Sequence, residues 1–222
     1  MQNVIARSAF IAVAALASAA AFAGPTAELK VTGVIKPVAC TPTIGSAGTV
    51  DYGNIAAGSL TTGANKVLDT KEVPFSITCE SAVKMAVTAV DNKASTKVTG
   101  LASQISSNAT EASMFGLGAA GGKNIGAFHF SMKQGSFTGD GVAVDTIGSA
   151  VSATPSWSKS SNGGMATGRM LSWAAAGATA PGSYKTVSGT LSVTAVLNKP
   201  ENLDLKEDVN LDGSATIEVK YL

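Results

Sequence analysis

The chain has 222 residues, with 16 Lys and Arg against 15 Asp and Glu, and is 45% apolar and 14% charged. So balanced a charge gives no electrostatic footprint for nucleic acid or anionic lipid. The apolar fraction is too high and the net charge too low for a disordered chain.

The first 23 residues read as a secretory signal. Arg7 is their only charge, residues 11–22 are apolar and small, and Ala21-Phe22-Ala23 has the A-x-A form of a cleavage site. The apolar core is too short for a span, and no later segment is long and apolar enough to cross a bilayer. The mature chain is expected to start near Gly24, leaving 15 basic and 15 acidic residues once Arg7 is removed. Residues 24–222 suit one domain, since all-β domains often reach about 200 residues undivided.

Cys40 and Cys79 are the two cysteines. An exported chain with an even cysteine count favours a disulfide. Closing a loop of about 40 residues stabilises a fold by roughly 4 kcal/mol in the chain-entropy model. Zinc is the rival reading, but two cysteines and one histidine cannot fill a four-ligand structural site.

Strand patterns follow in chain order. Residues 28–36 place Leu29, Val31, Gly33 and Ile35 on one face, and are predicted to form the first strand. Residues 41–54 read as a loop punctuated by Gly and Pro. Residues 72–79 alternate with Val73, Phe75, Ile77 and Cys79 in phase, and Pro74 points to an edge or a strand start. Residues 83–90 form a separate predicted strand. Residues 93–123 have weak periodicity, and 125–132 set Phe128, Phe130 and Met132 opposite His129. Residues 135–182 read as short strands joined by long loops. Residues 186–198 and 214–222 complete the set. Many short strands with turn residues between them predict an antiparallel sandwich.

Chemistry-bearing motifs find no second support. The G-x-G-x-x-G of residues 116–121 leads into a strand and not a helix, so it reads as a glycine-rich loop and not a dinucleotide site. S-x-x-K occurs at Ser81–Lys84 and Ser156–Lys159, but on strand or loop, where that spacing does not bring the two side chains together. His129, the sole histidine, lacks a G-x-S-x-G partner and is expected to be exposed and structural. Asp208, Asn210 and Asp212 with Gly213 match the first half of a calcium loop. The twelfth position holds Val219 where a bidentate Glu is needed, so a polar hairpin turn is the competing reading. These observations argue for a non-enzymatic protein without a cofactor.

The stretches VTGVIKPVACTPTIGSAGTVDYGNI, FSITC, VDNKAST, FGLG, ATPSW and LDGSATIEVKYL together resemble the GltF-like exported proteins. The two ends also resemble subunits of chaperone–usher fimbriae. That resemblance implies a disulfide between the first two strands, matched by Cys40 and Cys79. It also implies a final alternating strand with a penultimate tyrosine, matched by Ala215, Ile217, Val219 and Tyr221, with Leu222 at the carboxylate. The implied fold is an immunoglobulin-like, pilin-like sandwich lacking one strand. A periplasmic chaperone lends that strand, and a neighbouring subunit's N-terminal extension replaces it. Both are strand additions. The implied partners are the chaperone, the usher and other fimbrial subunits, and the implied location is the periplasm or a surface fimbria. Only residues 24–27 precede the predicted first strand, too few to span a groove at about 3.3 Å per residue. The sequence thus predicts a subunit that accepts a strand and does not donate one. The alternative is a soluble periplasmic or surface module with a self-completed sandwich, holding a ligand or glycan in its long middle loops. Trp157 and Trp173 are the candidate stacking residues there, with core packing the competing reading of both.

Overall fold

The computed structural model describes residues 27–35 and 39–222. The chain divides into two units, Met1–Lys36 and Pro37–Leu222. The expected signal segment, residues 1–23, lies outside the described residues.

Of the first unit, residues 27–35 carry no regular secondary structure. The strand predicted over residues 28–36 is not formed there, and Lys36 lies outside the described residues. Alternation marks a segment fit for a sheet face, yet it becomes a strand only where a partner backbone takes its hydrogen bonds.

The second unit is all-β. Its strands are β1 (Cys40–Ile44), β2 (Lys66–Val67), β3 (Lys71–Asp91), β4 (Phe115–Gly116), β5 (Ala119–Ala120), β6 (Lys123–Asn124), β7 (Gly126–Met132), β8 (Thr138–Gly139), β9 (Val142–Ala150), β10 (Ser158–Lys159), β11 (Arg169–Ala175), β12 (Ser183–Leu197) and β13 (Ala215–Tyr221). One helical turn, α1 (Ala102–Ile105), interrupts them.

β3 organises the unit. The two strands predicted at 72–79 and 83–90 are one strand, and the polar residues Glu80 and Ser81 between them are exposed without breaking it. Its first half pairs with β1 and β12, and its second half with β11 and β13. Val73, Phe75, Ile77, Cys79, Met85, Val87 and Ala89 are all buried and share one phase along the strand. Pro74 sits where β1 runs out. Its carbonyl accepts the N–H of Gly45, just past the end of β1, so its missing N–H falls beside no ladder partner.

β12 pairs with β3 along one side and with β7 and β8 along its length. β8 turns into β9 through Asp140 and Gly141, both at positive φ, the two-residue turn that Asp-Gly favours. β9 pairs with β11, and β11 pairs back onto β3. The ladder therefore closes on itself through β3, β11, β9, β8 and β12. The all-β expectation holds, with the strands linked in a circuit where two separate sheets were expected.

The main core lies inside this circuit and includes Phe75, Ile77, Met85, Phe137, Leu171, Trp173, Val187 and Leu191. Gly189 on β12 leaves its space to the Phe137 ring. A separate cluster of Leu101, Met114, Ala127 and Val196 covers the opposite face of β7 and β12. This is why the weakly periodic residues after β3 exist as they do: they cap a sheet face that water would otherwise reach.

Candidate functional site

Cys40 and Cys79 lie opposite each other in the β1–β3 ladder and form a disulfide, with Cα atoms 4.0 Å apart. The bond clips the start of β1 to the middle of β3. Beside it, the Cys40 N–H donates to the Tyr221 hydroxyl at 2.9 Å, and the Leu222 N–H donates to the Lys84 carbonyl at 3.1 Å. The last strand is thus tied at its C-terminal end to the disulfide region.

Among the described residues β13 pairs with β3 alone, so its other edge is free. Ala215, Ile217 and Val219 turn half-buried toward the main core, while Thr216 and Lys220 are exposed. Glu218 and Lys220 form an exposed ion pair at 2.8 Å, which holds the Glu218 carboxyl below its ordinary range. A second unpaired stretch lies nearby. Residues 50–55 follow a 3-10 turn at Ser46–Gly48 without regular structure, with Gly53 at φ 65°, and among the described residues they make no backbone-to-backbone hydrogen bond. Tyr52 pins this stretch to β12: its hydroxyl donates to the Val193 carbonyl at 3.0 Å and accepts the Ala195 N–H at 3.1 Å. Burial pushes the Tyr52 phenol above its ordinary value.

Between these two unpaired stretches runs a groove of about 340 Å³. Its walls come from Ile44, Val50 and Tyr52 on one side and Ala215 and Ile217 on the other. Val73, Phe128, Phe130, Leu191 and Val193 line it further. No charged side chain lines it. Phe130 and Leu191 at its base are nearly fully buried, so the groove opens onto the core itself. Such a groove, uncharged and flanked by backbone without strand partners, is fit to take an extended chain, and its polar lining consists of the side chains of Thr49, Tyr52 and Ser214.

Other sequence candidates fall elsewhere. Trp173 is 1% exposed and stacked on Phe137 with ring centroids 5.8 Å apart, so it is a core residue and cannot stack a ligand. Trp157 is half-buried and lines a separate cleft of about 530 Å³ with Pro155, Pro181, Met170, Lys84 and Leu222. His129, expected to be exposed, is buried at 8% exposure. Its Nδ1 lies 3.0 Å from the Ser113 carbonyl, because the cap over β7 covers the face that the sequence left to solvent. Asp208, Asn210 and Asp212 do not form a calcium loop. Residues 208–214 run extended into β13 without a turn, Val209 and Leu211 pack inward, and Asp212 is engaged by Lys93. Extended spacing separates alternate side chains by nearly 7 Å, too far to gather three oxygens on one ion. The competing hairpin turn is absent too. Among the described residues no group of three His, Cys, Asp or Glu could hold a metal. Sequence reasoning missed Val50 and Tyr52 as groove walls. Their signal was the short alternation in VDYGNI, hidden inside a stretch read as loop.

Fold and groove define a class: an all-β domain, clipped by one disulfide and open along one edge. The chain belongs to the GltF-like family. Protein GltF of Escherichia coli (strain K12) is 32% identical, covering 96% of this chain and 95% of its own length. Uncharacterized protein YhcF of the same organism is 29% identical over the whole of both chains. Residues 29–129 match the family described as a protein of unknown function, DUF1120. No solved structure matches.

Proposed function

We propose that this protein is a non-enzymatic, exported subunit of fimbrial type whose domain is completed by strand addition from a partner. In this reading the fold is an immunoglobulin-like sandwich lacking one strand, residues 1–23 direct export, and the disulfide forms in the periplasm. A periplasmic fimbrial chaperone docks an extended strand along the free edge of β13, filling the groove with alternate apolar side chains. An usher and other subunits follow as later partners, and the finished protein resides in a surface fimbria.

The observation that carries this reading is the groove between β13 and residues 50–55, apolar, uncharged and flanked on both sides by unpaired backbone. Open strand edges beside exposed core are a hazard that folded proteins ordinarily cover, and here the covering strand is missing from the domain. The test is co-purification and thermal unfolding of the oxidised mature chain with and without a fimbrial chaperone. The lone chain should melt early or aggregate and the chaperone should rescue it, whereas deletion of residues 218–222 should abolish the complex. A deletion variant that is folded and still bound by the chaperone would refute the reading.

A second reading has one observation of its own. Trp157 lines a cleft bounded by Pro155 and Pro181, the setting in which an aromatic ring stacks on a small ligand or glycan. Under it the protein is a soluble periplasmic or surface binding module, stable alone, and Trp157→Ala removes ligand binding while leaving that stability unchanged.

A further inference from the structure

We infer that the cleft beside Trp157 is a binding site for a small aromatic carboxylate. This rests on the reading of Trp157 as a stacking residue and names the chemistry of what it stacks on.

The cleft lies on the outer face of a sheet whose inner face closes the core. Thr88 of β3, Met170 of β11 and Lys220 of β13 line it, while their neighbours of opposite phase, Val87, Leu171 and Val219, pack into the core. Ala215 and Ile217, of that second phase on β13, line the groove. Cleft and groove thus use different faces of the last strand. Residues 151–157, which link β9 to β10, supply Val151, Pro155 and Trp157 to the cleft. Its volume of about 530 Å³ falls in the range of small-molecule sites.

The lining sets the body of the ligand. Trp157 remains half-buried, and Pro155, Pro181 and Met170 share the cleft with it. Val151, Tyr221 and Leu222 on the same cleft are exposed, so apolar surface is concentrated here. An indole, prolyl rings and a thioether suit a flat aromatic ring, stacked on the indole and touched at its edge by sulfur. A sugar carries a hydroxyl on almost every carbon and needs several converging polar partners. The neutral polar side chains here are those of Thr88, Ser152 and Tyr221, and the Tyr221 hydroxyl already accepts the Cys40 N–H.

Charge sets the head group. Lys84 and Lys220 are the cations of the cleft. Lys220 is taken up by Glu218 at 2.8 Å. Among the described residues the exposed Lys84 ammonium has no ion-pair partner, neither a side-chain carboxylate nor that of Leu222. A carboxylate on the ring is its complement. The Leu222 N–H is held by the Lys84 backbone carbonyl, so a change of the Lys84 side chain leaves the end of β13 in place.

The experiment is calorimetric titration of the oxidised mature chain with 2-naphthoate, with neutral 2-naphthylmethanol and with glucuronate, in the parent, Lys84→Met and Trp157→Ala. If the lone chain aggregates, its complex with the chaperone is titrated instead. The parent should bind 2-naphthoate about fivefold more tightly than 2-naphthylmethanol, the size of one exposed ion pair, and should bind glucuronate more weakly than either. Lys84→Met should remove that fivefold advantage and leave 2-naphthylmethanol unchanged. Trp157→Ala should weaken both aromatic probes by about tenfold. Thermal melts check that each variant is folded, and Lys84→Met, at an exposed position, decides the head group by itself. Equal affinity of the parent for the two aromatic probes overturns the inference, and so does 2-naphthoate binding that Lys84→Met does not change. Glucuronate binding that Trp157→Ala removes, with no 2-naphthoate binding, overturns it too and leaves the stacking role of Trp157 standing. If no probe binds the parent and a neutral methyl glucoside does not either, both fail.

Discussion

At the scale of single residues, two buried polar side chains report how tightly the unit is filled. Trp173 is enclosed by the core, and among the described residues its Nε1 finds no hydrogen-bond partner. Its contribution is therefore volume and ring contact, set against one unpaired donor. Trp173→Ala should cost about 3–5 kcal/mol, as for large aromatic truncations. Trp173→Phe should cost less than half as much, because it removes the unpaired N–H along with part of the ring. Urea unfolding of both variants measures the difference, and equal losses would show that the indole N–H is satisfied in solution. His129 supplies a pH dependence. Burial pushes its imidazole below the ordinary value of 6.5, against a smaller opposing effect of the Ser113 carbonyl. The unfolded chain then binds the proton more readily than the folded one. His129 thus contributes no penalty above about pH 6.5 and reduces stability as pH falls below it. The urea midpoint should drop between pH 7.5 and 5.5, and His129→Gln should flatten that drop. A parent and variant with the same slope would remove His129 as its source.

At the scale of elements, β3 and β13 carry the architecture. β3 was legible in outline: residues 73–79 and 83–89 have apolar positions of the same parity, as one unbroken strand requires. Glu80 and Ser81 interrupt the apolar run, and Ser81 puts an exposed polar residue on the odd-numbered face, yet the strand continues because its backbone pairing does not depend on those side chains. β13 was legible as a strand and as an edge candidate, because Ala215, Ile217 and Val219 alternate with Thr216, Glu218 and Lys220. Its tie to the disulfide was not, because a hydrogen bond between residues 40 and 221 has no local signature. Tyr221→Phe removes the hydroxyl that accepts the Cys40 N–H. It should cost about 0.5–1.5 kcal/mol and speed amide exchange at the C-terminal end of β13. Unchanged exchange in residues 219–222 would mean that the Leu222 bond to Lys84 holds the end alone.

At the scale of the whole molecule, the disulfide joins positions 39 apart in sequence, at one end of the groove-forming strands. Replacing both cysteines by serine should destabilise the domain by roughly 4 kcal/mol. In the proposed function the loss should also weaken strand capture, since β1 leads directly into the wall formed by Ile44, Val50 and Tyr52. Calorimetry of the serine pair, alone and with the chaperone, measures both effects. A melting temperature unchanged from the oxidised parent would show that the ladder between β1 and β3 suffices without the bond.

The all-β class, the cysteine pair and the apolar phases of β3, β7, β12 and β13 followed from the sequence, because alternation and residue chemistry are local properties written at each position. The fate of residues 29–35 did not. Their alternation is as regular as that of β12, yet whether such a segment enters its own sheet depends on which backbone edges remain unpaired. The burial of His129, the closed circuit through β8 and β9, and the groove itself depended likewise on contacts between distant parts of the chain. A period-2 pattern says that a face can be buried. Only the tertiary arrangement decides what buries it, and in this protein it leaves one groove open beside the last strand.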